Sequence, residues 1–169
     1  ETSDEPFSLP LDIDVDALSL PDIALGTAIA GDIASLAAEG KVAAEGSPLT
    51  IQGDLRVART DGRDGSMSAI VAFVPADNRL DIQVEGSEPA DGVLANLLRI
   101  EGTPAVDIAF SGEGPASDWS GSGTMSLNGT VVTRISARHR LTEEGNRVTA
   151  EGEGNFEAFL PLGLRPLVA

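Results

Sequence analysis

The sequence predicts an all-β protein: a curved, mostly antiparallel sheet with one short amphipathic helix near residues 89–100. Three observations predict it. Apolar and polar residues alternate with period two in six clear stretches. Short turn motifs separate the stretches, roughly every 10–15 residues. Only one stretch switches to helical spacing.

In chain order, every odd position from Phe7 to Ala17 is apolar, with Ser8, Pro10, Asp12, Asp14 and Asp16 between. Side chains of a strand point alternately to opposite faces, so this is a strand with one dry and one wet face. Ile29 to Ala44 is Ala-rich and carries little strand propensity; a strand is expected from about Ile33 on the flanking pattern. Leu49, Ile51, Leu55 and Val57 alternate with Thr50, Gln52, Asp54 and Arg56. Asp61-Gly62-Arg63-Asp64-Gly65 then reads as a hairpin turn, because Gly tolerates positive φ. Ala76-Asp77-Asn78 and Glu143-Glu144-Gly145-Asn146 read the same way. Leu80, Ile82 and Val84 alternate with Asp81, Gln83 and Glu85, and Val106, Ile108 and Phe110 with Asp107 and Ala109. Between them, Asp91 to Ile100 places Val93, Leu94, Leu97 and Leu98 at helical spacing, with Pro89 before and Gly102 and Pro104 after. Trp119, Met125 and Leu127 share one parity. Val131, Ile135, Ala137 and Leu141 oppose Arg134, Arg138 and Arg140.

The 169 residues fit one domain. Lys and Arg total 11 against 27 Asp and Glu, a net charge of −16. That balance argues against nucleic acid and against free binding to anionic lipid headgroups. No apolar run reaches 18 residues, so no span is expected to cross a bilayer. The absence of Cys removes disulfides and thiolate chemistry, and fits an oxidising compartment. Glu1 begins the sequence without a basic or apolar leader, so the chain reads as processed or as a piece of a longer protein. Residues 1–40 hold nine acids and no Lys or Arg, whereas Arg134, Arg138, Arg140 and Arg147 cluster late.

Candidate chemistry is sparse. Asp12, Asp14 and Asp16 start like a calcium loop, but Ala17 and Ile23 stand where Gly and Glu are needed. His139, the only His, is flanked by Arg138 and Arg140, which disfavour an imidazolium. The Gly-x-Gly triples at 112–114, 121–123 and 152–154 lack the Lys and helix of a phosphate cradle, and read as bulges, bends or strand ends. Asn128-Gly129-Thr130 matches a glycosylation sequon. No catalytic residue, metal ligand or cofactor site is expected, and the chain is not expected to be an enzyme. The dry face must be hidden by closing the sheet as a sandwich or barrel, or left as a trough; periodicity alone allows either.

Several runs resemble the TamB family, the translocation and assembly module proteins of Gram-negative envelopes. They are Leu18-Ser19-Leu20-Pro21-Asp22-Ile23-Ala24-Leu25-Gly26, Arg59-Thr60-Asp61-Gly62-Arg63, Glu88-Pro89-Ala90-Asp91-Gly92-Val93-Leu94 and Gly112 to Gly121. The excess of Arg over Lys is similar to alphaproteobacterial members. The resemblance covers about residues 9–129 and implies an internal segment of an AsmA-like, bridge-type lipid transporter. It implies a β half-pipe with a hydrophobic groove, in the periplasm, in a protein anchored to the inner membrane by a part not present here. Phospholipid acyl chains and an outer-membrane TamA-like barrel are the implied partners, and outer-membrane protein assembly an associated role. A different reading is a chaperone or scaffold that pairs with nascent outer-membrane β-strands through an exposed sheet edge.

The expected groove lining takes one dry-face set per strand: Leu9, Leu11, Ile13 and Val15; Leu49, Ile51, Leu55 and Val57; Leu80, Ile82 and Val84; Val106, Ile108 and Phe110; Met125 and Leu127. A slip by one residue would bury Asp12, Asp14 and Asp16. The helix face Val93, Leu94, Leu97 and Leu98 is expected against the apolar side of the sheet, closing or plugging one end.

Overall fold

The computed structural model describes residues 13–46 and 49–155. Nine strands form one sheet in sequence order: β1 (Ile13–Leu25), β2 (Ala34–Glu45), β3 (Thr50–Arg59), β4 (Ser66–Val74), β5 (Arg79–Glu88), β6 (Val106–Pro115), β7 (Asp118–Leu127), β8 (Thr130–Thr142) and β9 (Gly145–Gly154). Every neighbouring pair is antiparallel. The sheet stays open, with β1 and β9 as its edges. This is the curved all-β half-pipe the sequence predicts, not a closed sandwich or barrel. Among the described residues no helix is long and apolar enough to cross a membrane.

Two helices interrupt the strands. The expected one is α2 (Val93–Leu97), shorter than residues 89–100. The other, α1 (Thr27–Ala30), lies at the start of the Ala-rich stretch and was not expected there. Both sit at the same end of the sheet, on the β1–β2 and β5–β6 connections. These connections are four strand spacings apart, about 19 Å across a flat sheet. Even so α1 and α2 touch, with Gly31 pressed against the Asn96 side chain. The connections bend toward each other over one rim of the half-pipe.

Turn chemistry explains the hairpins. Asp61 to Gly65 joins β3 to β4, with Gly62 at φ 84°. Asn128 (φ 49°) and Gly129 (φ 75°) form a two-residue turn between β7 and β8. Two successive positive φ values favour Asn-Gly, so the sequon match coincides with a hairpin signal. The Asn128 side chain also accepts a hydrogen bond from the Ala105 amide at 3.1 Å, fastening the chain that returns from α2. At the opposite end, Asn78 (φ 51°) joins the turn before β5 to the β6–β7 turn. Its Oδ1 accepts from the Ser117 amide at 3.1 Å and its Nδ2 donates to Ser117 Oγ at 2.6 Å. His139 is a fastening of the same kind: its ring nitrogens contact the Ala116 carbonyl and Asn146 Oδ1.

Glycine is needed inside the sheet, not only at its bends. Trp119 is buried, its ring centroid 6.1 Å from that of Phe110, and its indole lies over Gly112 and Gly121. A Cβ on Gly121 would fall 2.7 Å from the indole and 2.8 Å from the Phe110 ring. Gly112, Gly121 and Gly123 are therefore mid-strand gaps filled by aromatic rings, which corrects their reading as bends.

Candidate functional site: an apolar face with a helical rim

Pairing register turns the alternating pattern into rows that cross the sheet. One runs Val15, Val42, Gly53, Val71, Ile82, Gly112, Gly121, Ala137, Ala150. The next runs Leu18, Gly40, Leu55, Ala69, Val84, Phe110, Gly123, Ile135, Gly152. A third runs Leu20, Ala38, Val57, Met67, Gly86, Ile108, Met125, Thr133, Gly154. Across all nine strands these rows hold no charge, and Thr133 carries their only hydroxyl. Eight strand spacings make each row about 38 Å long.

Every expected lining residue within the described chain falls on this face or beside it. Ile13, Ile51 and Leu80 share a further row with Ala44 and Phe73. Leu49 precedes β3 and is buried, and Val106 pairs with Leu127 at the rim. Leu9 and Leu11 lie outside the described residues. Along the middle of the face the side chains keep contact with solvent: Val15, Val42, Leu55, Val71 and Ile135 are 36–46% exposed. Ile82 and Val84 are half-buried. Soluble proteins seldom leave a contiguous apolar area of this extent without an occupant.

Among the described residues, the helical connections cover the face at the rim. Ala95 and Ile100, from α2 and the turn after it, pack with Val106 and Leu127, and Leu94, Ile108, Met125 and Val132 close around them. Of the expected helix face, Leu94 packs inward and Val93 is half-buried, but Leu97 is 58% exposed and Leu98 is exposed. The helix is one turn long, so its buried side is carried by Ala95 rather than by a stripe of leucines. Beneath it lies an apolar cleft of about 210 Å³ between Leu36, Val57, Met67, Leu94 and Leu97.

Two charges stand within the apolar rim. The side chains of Arg59 and Glu88 are 3% and 7% exposed and pair at 3.1 Å (Nη1 to Oε1). Gly65 lies between them, where a Cβ would crowd both side chains. The Arg59 guanidinium also clasps the Asp61 carboxylate, with Nε to Oδ1 at 3.0 Å. Glu88 Oε2 accepts the Leu94 amide hydrogen at 2.6 Å, satisfying one free N–H of the first turn of α2. Asp61 further accepts from the Ser35 and Arg63 amides, each at 3.3 Å, and Arg63 donates to the Asp91 carbonyl at 3.2 Å. One network thus ties the β1–β2, β3–β4 and β5–β6 connections into the rim.

The Arg59 guanidinium, hydrogen-bonded to Asp61, holds that carboxyl well below the usual carboxylate range, and the Arg63 and Ser35 amides add to this. Asp61 in turn raises Arg59. A carboxylate with a lowered folded-state pKa contributes its full stabilisation above its unfolded pKa, about 3.9, and loses it as pH falls toward the folded value. The melting temperature of Asp61→Asn should therefore lie below that of the parent by a constant margin above about pH 5. That margin should shrink below about pH 4. A margin independent of pH would remove the Asp61 charge from the account.

The other side of the sheet is polar. Gln83, Glu85, Ser111, Ser122, Thr124, Arg134, Glu151 and Glu153 border an open cleft of about 570 Å³ there. Its groups mix hydroxyls, amides and charges of both signs. Among the described residues, no cluster of three or more His, Asp or Glu side chains is placed to hold a metal ion. Three bulges correct the simple parity. In β1 the register shifts after Val15 and after Leu20, moving the apolar face to Leu18 and Leu20 and then back to Ile23 and Leu25. In β8 a shift beside Ser126 puts Val132, not Val131, against the core.

The chain matches no protein-family model, no curated protein and no solved structure.

Proposed function

We propose that this chain is a lipid-conducting segment of a periplasmic, TamB-like bridge protein, its apolar rows sheltering phospholipid acyl chains between inner and outer membranes. The observation that carries the reading is the continuity of three charge-free rows across nine strands. An acyl chain gains about 0.8 kcal/mol for each CH₂ withdrawn from water, so one of about 16 carbons gains on the order of 13 kcal/mol. A face without polar contacts offers that shelter at every position along a row, which suits sliding. The acidic remainder of the chain, at net charge −16, keeps so apolar an object in solution. The runs 18–26, 59–63, 88–94 and 112–121 support the family assignment, and with it an inner-membrane anchor elsewhere in the parent protein and a TamA-like partner. In this role the chain performs no catalysis.

Native mass spectrometry and lipid extraction of the purified chain test the reading. Co-purifying phospholipid is expected. A lipid-free chain that takes up no phospholipid from vesicles, yet binds unfolded outer-membrane barrel peptides, would replace transport with strand-chaperoning.

A further inference from the structure

The two edges of the sheet are not equivalent. β1 is broken by two register shifts and carries Pro21, which has no N–H to offer. Both features blunt an edge against further pairing. β9 pairs with β8 from Gly145 to Gly154 without a shift and contains no proline. Among the described residues no strand pairs with its outer side, which is a straight row of backbone groups.

Charge separates the edges in the same sense. β1 carries Asp14, Asp16 and Asp22 and no Lys or Arg, so two β1 edges repel. Residues 130–155 carry four Arg and four Glu, which makes the β8–β9 side locally neutral in a chain of net charge −16. Within that side Arg147 lies directly opposite Arg140, an unfavourable pair. Among the described residues its only ion pair is with Glu144 at 3.8 Å, both groups largely exposed.

We propose that two copies of this chain join through β9, antiparallel about a two-fold axis normal to the sheet. Centred on Ala150, this pairing sets Arg147 opposite Glu153 of the second copy, twice by symmetry. Glu153 then lies between Arg134 of its own β8 and Arg147 of the second copy. On the apolar face Val148, 71% exposed, meets Gly152 of the second copy. A slip by one residue would set the apolar face of one copy against the polar face of the other, which excludes it; a centre on Thr149 would instead set Arg147 opposite Glu151, so the response to Glu153→Arg separates the two registers. The interface is isologous and closes at two copies. It runs the apolar rows of one sheet into those of the other. This inference stands on edge geometry and charge alone, whatever the face carries.

Sedimentation of the full chain over a concentration series tests it. The parent should show a monomer–dimer equilibrium. Arg147→Glu and Glu153→Arg should each weaken dimerisation about tenfold, since each replaces two attractive pairs by two repulsive ones. The double variant, with both charges exchanged, should restore it; a merely damaged strand would not be rescued. Ala150→Pro, which removes an outward-facing edge N–H, should leave a folded monomer by circular dichroism. A parent that stays monomeric at its highest soluble concentration overturns the proposal. So does a dimer indifferent to both reversals, or a double variant no better than the singles.

Discussion

Glu88→Ala is expected to destabilise the protein by about 3 kcal/mol and to release α2 from the rim. Three losses coincide. Arg59, 3% exposed, loses one of its two carboxylate partners while remaining under α2. Leaving a buried charge short of a partner costs more than the pair contributed, because the desolvation has already been incurred. The Leu94 amide loses its acceptor, at about 1 kcal/mol for a helix N-terminal hydrogen bond. The space vacated beside Gly65 opens the cleft beneath the helix. Asp61 remains on Arg59 and limits the damage. Glu88→Gln separates the terms: its side-chain oxygen can still accept from Leu94, so it should lose the charge and little else. Urea unfolding gives the total, and amide exchange at Leu94 and Ala95 reports the helix locally. A loss below about 1 kcal/mol, with Leu94 still protected, would show that the pair merely decorates the rim.

The part of this architecture legible in the sequence is the part written in alternation. Ile51 to Val57 and Val106 to Phe110 stand in β3 and β6 with the expected face inward, because one wet face forces period two. β4 is weakly marked, because Ile70, Ala72 and Val74 put apolar groups on the polar face and hide the alternation. β2 is veiled by alanines, whose size lets Ala38 and Gly40 sit between larger neighbours without signalling a strand. The bulges in β1 and β8 leave no compositional trace beyond Pro21, so Leu18, Leu20 and Val132 could not be placed on the apolar side from parity. Arg59 and Glu88 escaped for a different reason. Each looks like an ordinary charged strand end, and only the register of β3, β4 and β5, folded under α2, brings them together. Extrapolating the β3–β4 and β4–β5 hairpin registers to their ends would have set both charges on the apolar face.

Placing the same aspartate at two positions on the apolar face should have opposite consequences. Ile82 lies mid-face, half-buried, between Val71 and Gly112, and Val71 beside it is 38% exposed. The carboxylate of Ile82→Asp can reach water, so the cost is the lost apolar contact, about 1–2 kcal/mol. Val106 is fully buried beneath Ala95 and Ile100. Its aspartate has no route to water and no basic side chain in the packing around it, so Val106→Asp should lose about 4 kcal/mol or more and unfold the rim. The phospholipid content of the two variants then reads the function. Ile82→Asp should remain folded yet carry clearly less lipid than the parent, because a charge interrupts a row that is otherwise apolar from Val15 to Ala150. An Ile82→Asp protein that unfolds would mean that the middle of the face is a closed core in solution. A folded one with undiminished phospholipid would move the lipid off these rows altogether.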